Sequence, residues 1–247
     1  MSSLFARVFK QAKITFDIKN ADMFKTNFNN LKQLVDQLTF SDVNLNPESV
    51  TRKSFQHIDA APCKYIGIYE DELFTMSVFV LNENFKMPLH DHPAMFGILR
   101  VLAGKIQVQS YTRANSVDEV ANESLPPNQK RTSQVYTKAE PVKYLDVSMN
   151  DCALLTPNER NFHEIMAVNG PAAFFDILSP PYNTNIQPDN VRRSCSFYKK
   201  ILLSSTTDAS SPANTGGQNY ILERIPTPHY YYCDTEEYEK PEFMKIE

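Results

Sequence analysis

The chain has 247 residues, enough for one large domain or two small ones with a substantial hydrophobic core. Its composition, 42% hydrophobic and 22% charged, is typical of a globular protein, and its net charge of -4 gives no electrostatic reason to expect nucleic acid or an anionic membrane as a partner. No apolar run reaches the roughly 20 residues that a membrane-spanning helix needs, so we expect no membrane span.

The first 45 residues have the apolar spacing of two helices. Within residues 1–16 the apolar side chains recur at helical intervals, at Phe5, Val8, Phe9 and Ala12. A second set predicts a helix over residues 22–39, at Phe24, Phe28, Leu31, Val35 and Leu38. We predict that residues 1–45 form a helical segment packed on the rest of the protein. Residues 1–16 are also basic without acidic side chains, as transit peptides are, so mitochondrial import stays open as an alternative to the cytoplasm.

From about Tyr65 the pattern changes to short apolar or alternating runs that predict strands. The predicted strands are 65–69, 73–81, 97–103, 105–111, 142–149, 152–155, 161–168 and 172–179, with late strands at 220–222 and 230–232. Gly104 and the pair Asn150 and Asp151 lie between such runs and predict hairpin turns. Many short strands at close spacing indicate a β-sandwich or barrel.

Two polar stretches interrupt this pattern, at residues 113–140 and 204–219. Neither has an apolar period, and we expect both to be flexible insertions in a single β domain that spans residues 46–247. The four cysteines are far apart in sequence and form no C-x-x-C pair. We therefore expect free thiols in a reducing compartment such as the cytoplasm.

The most informative stretch is His90-Asp91-His92, which lies between Pro88 and Pro93. Side chains alternate along a strand, so His90 and His92 would share one face and could bind one metal ion, whereas Asp91 would point to the opposite face. The flanking prolines would restrict the backbone of the pair.

A third ligand is needed, and His163 is the best candidate because it lies in a predicted strand that follows a turn. We expect His57, in a loop, and His229, near the C-terminal tyrosines, to be surface or packing histidines. Imidazole ligands suit zinc, copper, iron and nickel, so the ligand type leaves the metal open. Zinc would imply hydrolytic or hydration chemistry, and iron(II) with open positions would admit a substrate donor and dioxygen.

Three blocks of the sequence together resemble a known family. They are residues 66–70 (IGIYE), 87–95 (MPLHDHPAM) and 176–182 (DILSPPY). In order and spacing they resemble the cysteamine (2-aminoethanethiol) dioxygenases and plant cysteine oxidases, from about Tyr65 to Asp234. The resemblance implies a mainly β fold, a cupin double-stranded β-helix (jelly-roll barrel) with N-terminal helices.

The resemblance also implies the chemistry. Mononuclear iron(II) would be held by three histidines, which by position are His90, His92 and His163. The family adds both atoms of dioxygen to a thiol and gives a sulfinic acid, which is hypotaurine when the substrate is cysteamine. The other family substrate is the N-terminal cysteine of proteins, whose oxidation feeds an oxygen-dependent degradation signal. We expect an amino-thiol and dioxygen as partners and a cytoplasmic monomer.

Two further residues match family positions. Asp176 matches a carboxylate that holds the substrate amine, although by itself it could be a structural residue at a strand end. Tyr182 matches an active-site tyrosine whose hydroxyl could donate to oxygen or orient the substrate, although it could also be a packed aromatic.

The chain departs from the family pattern near Cys195, because Phe197 replaces a tyrosine that lies near the iron. Tyr198 is a poor substitute, since neighbours in a strand face opposite sides. Phe96 stands where animal members tend to carry histidine. Two other functions stay open: a zinc or nickel cupin isomerase or lyase, and a non-catalytic cupin that binds a partner through 113–140.

Overall fold

The computed structural model describes residues 3–114, 133–182, 193–203 and 218–245. Within these ranges the chain is mainly β, as predicted. The strands are β1 (Cys63–Glu70), β2 (Thr75–Leu81), β3 (Lys86–Asp91), β4 (Phe96–Ala103), β5 (Lys105–Arg113), β6 (Gln134–Ala139), β7 (Lys143–Asp146), β8 (Ala153–Leu155), β9 (Phe162–Ala167), β10 (Ala172–Ser179), β11 (Phe197–Leu202), β12 (Asn219–Ile225) and β13 (Cys233–Glu236).

These strands form two sheets. The first has the order β13-β1-β2-β10-β4-β8, and the second has the order β6-β12-β11-β3-β9-β5-β7. Most connections carry the chain from one sheet to the other, as from β2 to β3 and from β9 to β10. Neighbouring strands are antiparallel, apart from the parallel pair β1 and β13. This winding between two sheets is the double-stranded β-helix, so the predicted cupin fold is confirmed.

The two predicted hairpins are wrong for the same reason. Gly104 joins β4, in the first sheet, to β5, in the second, and Asn150 and Asp151 lie between β7 and β8, which are also in different sheets. Both turns exist, but each carries the chain across the barrel instead of folding it back on its neighbour. Gly104 has φ of +69°, a left-handed conformation that glycine adopts without strain.

Replacing Gly104 with alanine should therefore destabilise the fold. A Cβ at this position would lie 2.4 Å from the carbonyl oxygen of Pro171, and the positive φ adds strain. We expect the free energy of unfolding to fall by about 2–4 kcal/mol, measured by urea denaturation. Gly170→Ala is the matched control, because nothing lies within 4 Å of its Cβ position. Equal losses in the two variants would contradict this role for Gly104.

The N-terminal helices are α1 (Leu4–Phe16) and α2 (Phe24–Val35), with 3-10 turns at Ile18–Met23, Pro47–Val50 and Arg52–Phe55. Their apolar faces share one core with the outer face of the first sheet, where the Phe5 ring meets Phe175 edge-on with centroids 6.0 Å apart. A short C-terminal helix, α3 (Glu242–Lys245), packs on α1 through Phe243. Buried Arg100 in β4 donates to the carbonyls of Leu38 and Met149, which ties the helical segment to the barrel.

Parts of the polar stretches are ordered, contrary to prediction. In the stretch 113–140, β6 pairs with β5 and β12, and Val135 and Thr137 are buried. The sequence of β6, QVYTKA, contains polar residues among its apolar ones, so the pattern does not indicate a buried strand. Residues 115–132 and 204–217 lie outside the described residues, whereas Asn219 begins β12. Residues 230–232 do not form the predicted strand, and β13 begins only at Cys233. Among the described residues, no helix is both long and apolar enough to cross a membrane.

Candidate metal centre

Three buried histidines converge on one cavity between the sheets. In the antiparallel pairing of β3 with β9, His90 lies directly opposite His163, so the two side chains share a face. His92 follows two residues later and returns to that face. One nitrogen from each imidazole lies within 4.8 Å of the other two, and Nε2 of His92 is 3.1 Å from Nε2 of His163. The structure therefore brings together the three histidines that the sequence pattern singles out.

The orientation of His90 is set by Pro88. The pairing of β3 with β9 is irregular between Met87 and His90, where a proline, which has no N–H, is tolerated. The carbonyl oxygen of Pro88 lies 2.8 Å from Nδ1 of His90. A carbonyl can only accept, so Nδ1 carries the proton and Nε2 keeps a free lone pair for a metal.

Tyr182 sets the orientation of His92 in the same way. Its hydroxyl lies 2.7 Å from the carbonyl oxygen of Asp91 and 2.7 Å from Nδ1 of His92. The single hydroxyl proton goes to the carbonyl, which cannot donate, so the hydroxyl accepts from the Nδ1–H of His92. This leaves Nε2 of His92 with its lone pair directed at His163. The family resemblance implies an active-site tyrosine here, with a packed aromatic as the alternative, but it does not reveal this contact with Nδ1 of His92.

Asn161 also holds His92, and nothing in the sequence distinguishes it beyond its place two residues before His163. Its side-chain amide donates to the carbonyl of His92 at 2.6 Å and to the carbonyl of Thr156 at 3.0 Å. Its Oδ1 accepts from the backbone N–H of His92 at 3.3 Å. The backbone of His92 is therefore fixed from both sides.

Burial keeps the three imidazoles neutral at pH 7. Desolvation lowers the pKa of His90 to about 4 and lowers the pKa of His92 and His163 well below the ordinary value. Neutral imidazoles are the form that binds metals. Asp91 points away from them, as predicted, and accepts from the backbone N–H of Ser196 and the hydroxyl of Tyr198, both at 2.8 Å.

The three imidazoles line a cavity of about 240 Å³ with mostly apolar walls, including Phe79 and Phe174. Asp176, in the middle of β10, places its carboxyl group in the same cavity. It is only 9% exposed, and burial raises its pKa to about 7. A carboxyl group held in apolar surroundings binds a cation strongly, because the cation supplies the charge compensation that water cannot.

Phe197 and Cys195, in the stretch where the chain departs from the family pattern, lie at the cavity, whereas Tyr198 does not. Phe197 pairs with His90 across β11 and β3 and lines the cavity beside Cys195. Burial raises the pKa of Cys195 to about 12. Tyr198 faces the other way, onto Asp91, so it does not replace the missing tyrosine.

Phe96 and the two remaining histidines lie away from the cavity. Phe96 packs against Phe24 and Phe28 of α2, with ring centroids 4.6 and 5.8 Å apart. His57 and His229 are exposed and do not belong to the histidine cluster.

A family model described as PCO_ADO matches residues 34–243. The chain belongs to this family. It is 31% identical to the 2-aminoethanethiol dioxygenase of Homo sapiens, over 98% of this chain and 97% of that protein. It is 24% identical to plant cysteine oxidase 2 of Arabidopsis thaliana, over 70% of this chain and 56% of that protein. The resemblance read from the three sequence blocks is thus confirmed.

Solved structures are more distant. A conserved protein of Klebsiella pneumoniae with a double-stranded β-helix domain is 14% identical, with a TM-score of 0.32, over 53% of this chain and 87% of that chain. At this score the likeness adds nothing to the topology described above, which rests on the strand pairings themselves.

Proposed function

We propose that this protein is an iron(II)-dependent thiol dioxygenase that adds both atoms of dioxygen to an amino-thiol and gives a sulfinic acid. The observation that carries the proposal is the histidine cluster, with the donor directions of His90 and His92 set from behind, in one cavity with the carboxyl group of Asp176. Membership of the PCO_ADO family supports it.

The cluster fits a metal such as iron(II). Its donors are three neutral imidazoles, without a carboxylate, and they occupy one side of the cavity. A metal bound there would supply adjacent positions for a thiol and for dioxygen. The protein's part is to present the free Nε2 lone pairs of His90 and His92 and, through its apolar walls, to exclude water.

In this proposal Asp176 selects substrates that carry an amine. An ammonium group beside the carboxylate would lower its pKa from about 7 and form a charge-assisted hydrogen bond in apolar surroundings. A simple thiol of the same length lacks that contact. The site would therefore prefer cysteamine or an N-terminal cysteine, which both place an amine two carbons from the sulfur.

A groove beside the cavity supports peptides as substrates. It has a volume of about 430 Å³, opens to solvent, and shares Cys195 and Phe197 with the cavity. Its other walls come from Ser133, Ser196 and residues 224–227. A peptide with its first cysteine in the cavity could continue along this groove. We extend the proposal to oxygen sensing through oxidation of N-terminal cysteines.

The test is to load the protein with iron(II) and offer three substrates in air: cysteamine, a short peptide that begins with cysteine, and 2-mercaptoethanol. We expect the first two to gain the mass of two oxygen atoms and the third to react much more slowly. Protein loaded with zinc is the control and should give no product. Iron-loaded protein that oxidises neither amino-thiol would refute the proposal, and protein that is isolated with bound zinc and consumes no oxygen would favour an isomerase or lyase.

Assembly and location are also proposals. The four cysteines are free, which fits the reducing environment of the cytoplasm. We propose a cytoplasmic monomer, to be checked by light scattering and by imaging of a fluorescent fusion.

Tyr182→Phe should weaken metal binding. Without the hydroxyl, Nδ1 of His92 loses its hydrogen-bond acceptor, and the tautomer of the imidazole ring is no longer fixed. We expect iron affinity to fall by about 10–100-fold in a chelator competition. Tyr238→Phe is the control, since it removes a hydroxyl that donates to the carbonyl of Val43, away from the cavity. Unchanged affinity with lost activity would instead assign the hydroxyl a direct role with substrate.

A further inference from the structure

Two cysteines that are far apart in sequence lie side by side at the edge of the first sheet. Cys63 of β1 and Cys233 of β13 are register partners in the parallel pairing. Partners on adjacent strands are about 4.8 Å apart, and their side chains project from the same face. This spacing lies within the range of about 4.4–6.8 Å between Cα atoms joined by a disulfide. The sulfurs can therefore meet without rearrangement of the backbone.

The environments of the two thiols differ in a way that favours reaction. Cys63 is fully buried, whereas Cys233 is partly exposed on the edge strand β13. The neighbouring Cys63 thiol and Tyr231 hydroxyl lower the pKa of Cys233, whereas the contact with Cys233 and burial raise the pKa of Cys63. The accessible sulfur is thus the one that ionises first, and thiolates are the nucleophiles in disulfide exchange.

We propose that Cys63 and Cys233 form a reversible disulfide that couples the thiol redox state of the compartment to the wall of the substrate cavity. The oxidant is a small disulfide of the glutathione class. The Cys233 thiolate attacks one sulfur of this oxidant. A mixed disulfide forms on Cys233, and the other half of the oxidant leaves as a thiol. The Cys63 thiol, losing its proton, then displaces the second thiol. The two protein thiols lose two electrons and two protons, and the oxidant gains them as two thiols.

Tyr231 connects this pair to the cavity. Its hydroxyl is close enough to Cys233 to lower the pKa of that thiol, and its ring lines the cavity 5.5 Å from the ring of Phe197. Phe197 in turn faces His90, with ring centroids 6.3 Å apart. A bond from Cys233 to Cys63 draws the Cys233 sulfur away from Tyr231, so Tyr231 loses a contact that holds this wall of the cavity. The contacts that orient His90 and His92 are unchanged. We expect a higher KM for the thiol and an unchanged metal content.

The experiment places the full-length protein in glutathione buffers of increasing oxidation, blocks free thiols by alkylation, and maps linked peptides by mass. We expect one linked pair, Cys63 with Cys233, lighter by two hydrogens and reversed by dithiothreitol, with Cys152 alkylated throughout. Cys233→Ser should abolish the link, and Cys152→Ser, the matched control, should retain it. Full alkylation of both thiols at the most oxidising ratio, or a link through Cys195 instead, would overturn the proposal.

The second readout is the steady-state kinetics of iron-loaded protein. This measurement rests on the proposed function, whereas the peptide map tests the disulfide without it. Oxidation should raise the KM for the thiol substrate several-fold in the natural protein. It should leave the KM of the Cys233→Ser variant unchanged. A linked pair with unchanged KM would overturn the coupling to the cavity.

Discussion

Alanine in place of His163 is expected to abolish both iron binding and thiol oxidation. His163 supplies one of the three imidazoles, and the remaining pair is held by separate contacts to Pro88 and Tyr182 and would stay in place. Two ligands cannot hold the ion as three do, so the loss should exceed the roughly 100-fold that changes behind a ligand produce. Iron content by elemental analysis and oxygen uptake with cysteamine are the measurements.

The matched control is His229→Ala, which removes an exposed imidazole away from the cluster. It should retain full iron and full activity. If His163→Ala is folded by circular dichroism and still carries one iron per chain, another residue must be the third ligand.

Replacing Asp176 with asparagine should remove the preference for amino-thiols. The amide keeps the shape of the carboxyl group but cannot pair with an ammonium, and hydrogen bonds to charged groups contribute about 1.5–3 kcal/mol. We expect kcat/KM for cysteamine to fall by about 10–100-fold, towards that of 2-mercaptoethanol, which should itself change little. An equal loss for both thiols would show that Asp176 does not recognise the amine.

The same substitution should stabilise the metal-free protein at alkaline pH. Burial raises the pKa of Asp176 from 3.8 to about 7, so ionisation is less favourable in the folded than in the unfolded state. The resulting penalty is absent below pH 4, grows as the pH rises to 7, and is constant above. At pH 8 the free energy of unfolding of Asp176→Asn should exceed the natural value by up to about 4 kcal/mol, at about 1.4 kcal/mol per pKa unit.

Urea denaturation in the presence of a chelator, at pH 4 and pH 8, is the measurement. The gain should nearly vanish at pH 4, where the carboxyl group is protonated in the folded protein and partly so in the unfolded chain. A gain of the same size at both values would mean that it comes from packing and not from the buried charge.

The helices and the shared face of His90 and His92 could be predicted from the sequence because both are local patterns. Helical spacing needs only one segment, and His90 and His92 share a face by alternation alone. The choice of His163 needed only the recognition of a second strand with a histidine.

The sheet to which each strand belongs could not be predicted, because alternation does not report a strand's partner. For this reason the sequence pattern predicts a hairpin turn at Gly104 and a loop at the polar strand β6, which in the fold pairs with β5 and β12. The contact of Tyr182 with His92 and the pairing of Cys63 with Cys233 depend on distant segments that meet only in the fold.

Because His90 and His163 are paired across β3 and β9, metal binding by the histidine cluster would depend on the correct register of these two strands. A slip of one residue between β3 and β9 would turn every side chain of one strand to its other face, and His163 would leave the cavity. The same slip would expose Ile165 and Ala167, which are buried, and would turn Glu164 toward the core, so the apolar residues of β9 specify the same register as the histidines. If the cluster binds iron as proposed, the fraction of purified protein that takes up iron should therefore equal the fraction with the correct register, and iron uptake would serve as a quality check on folding.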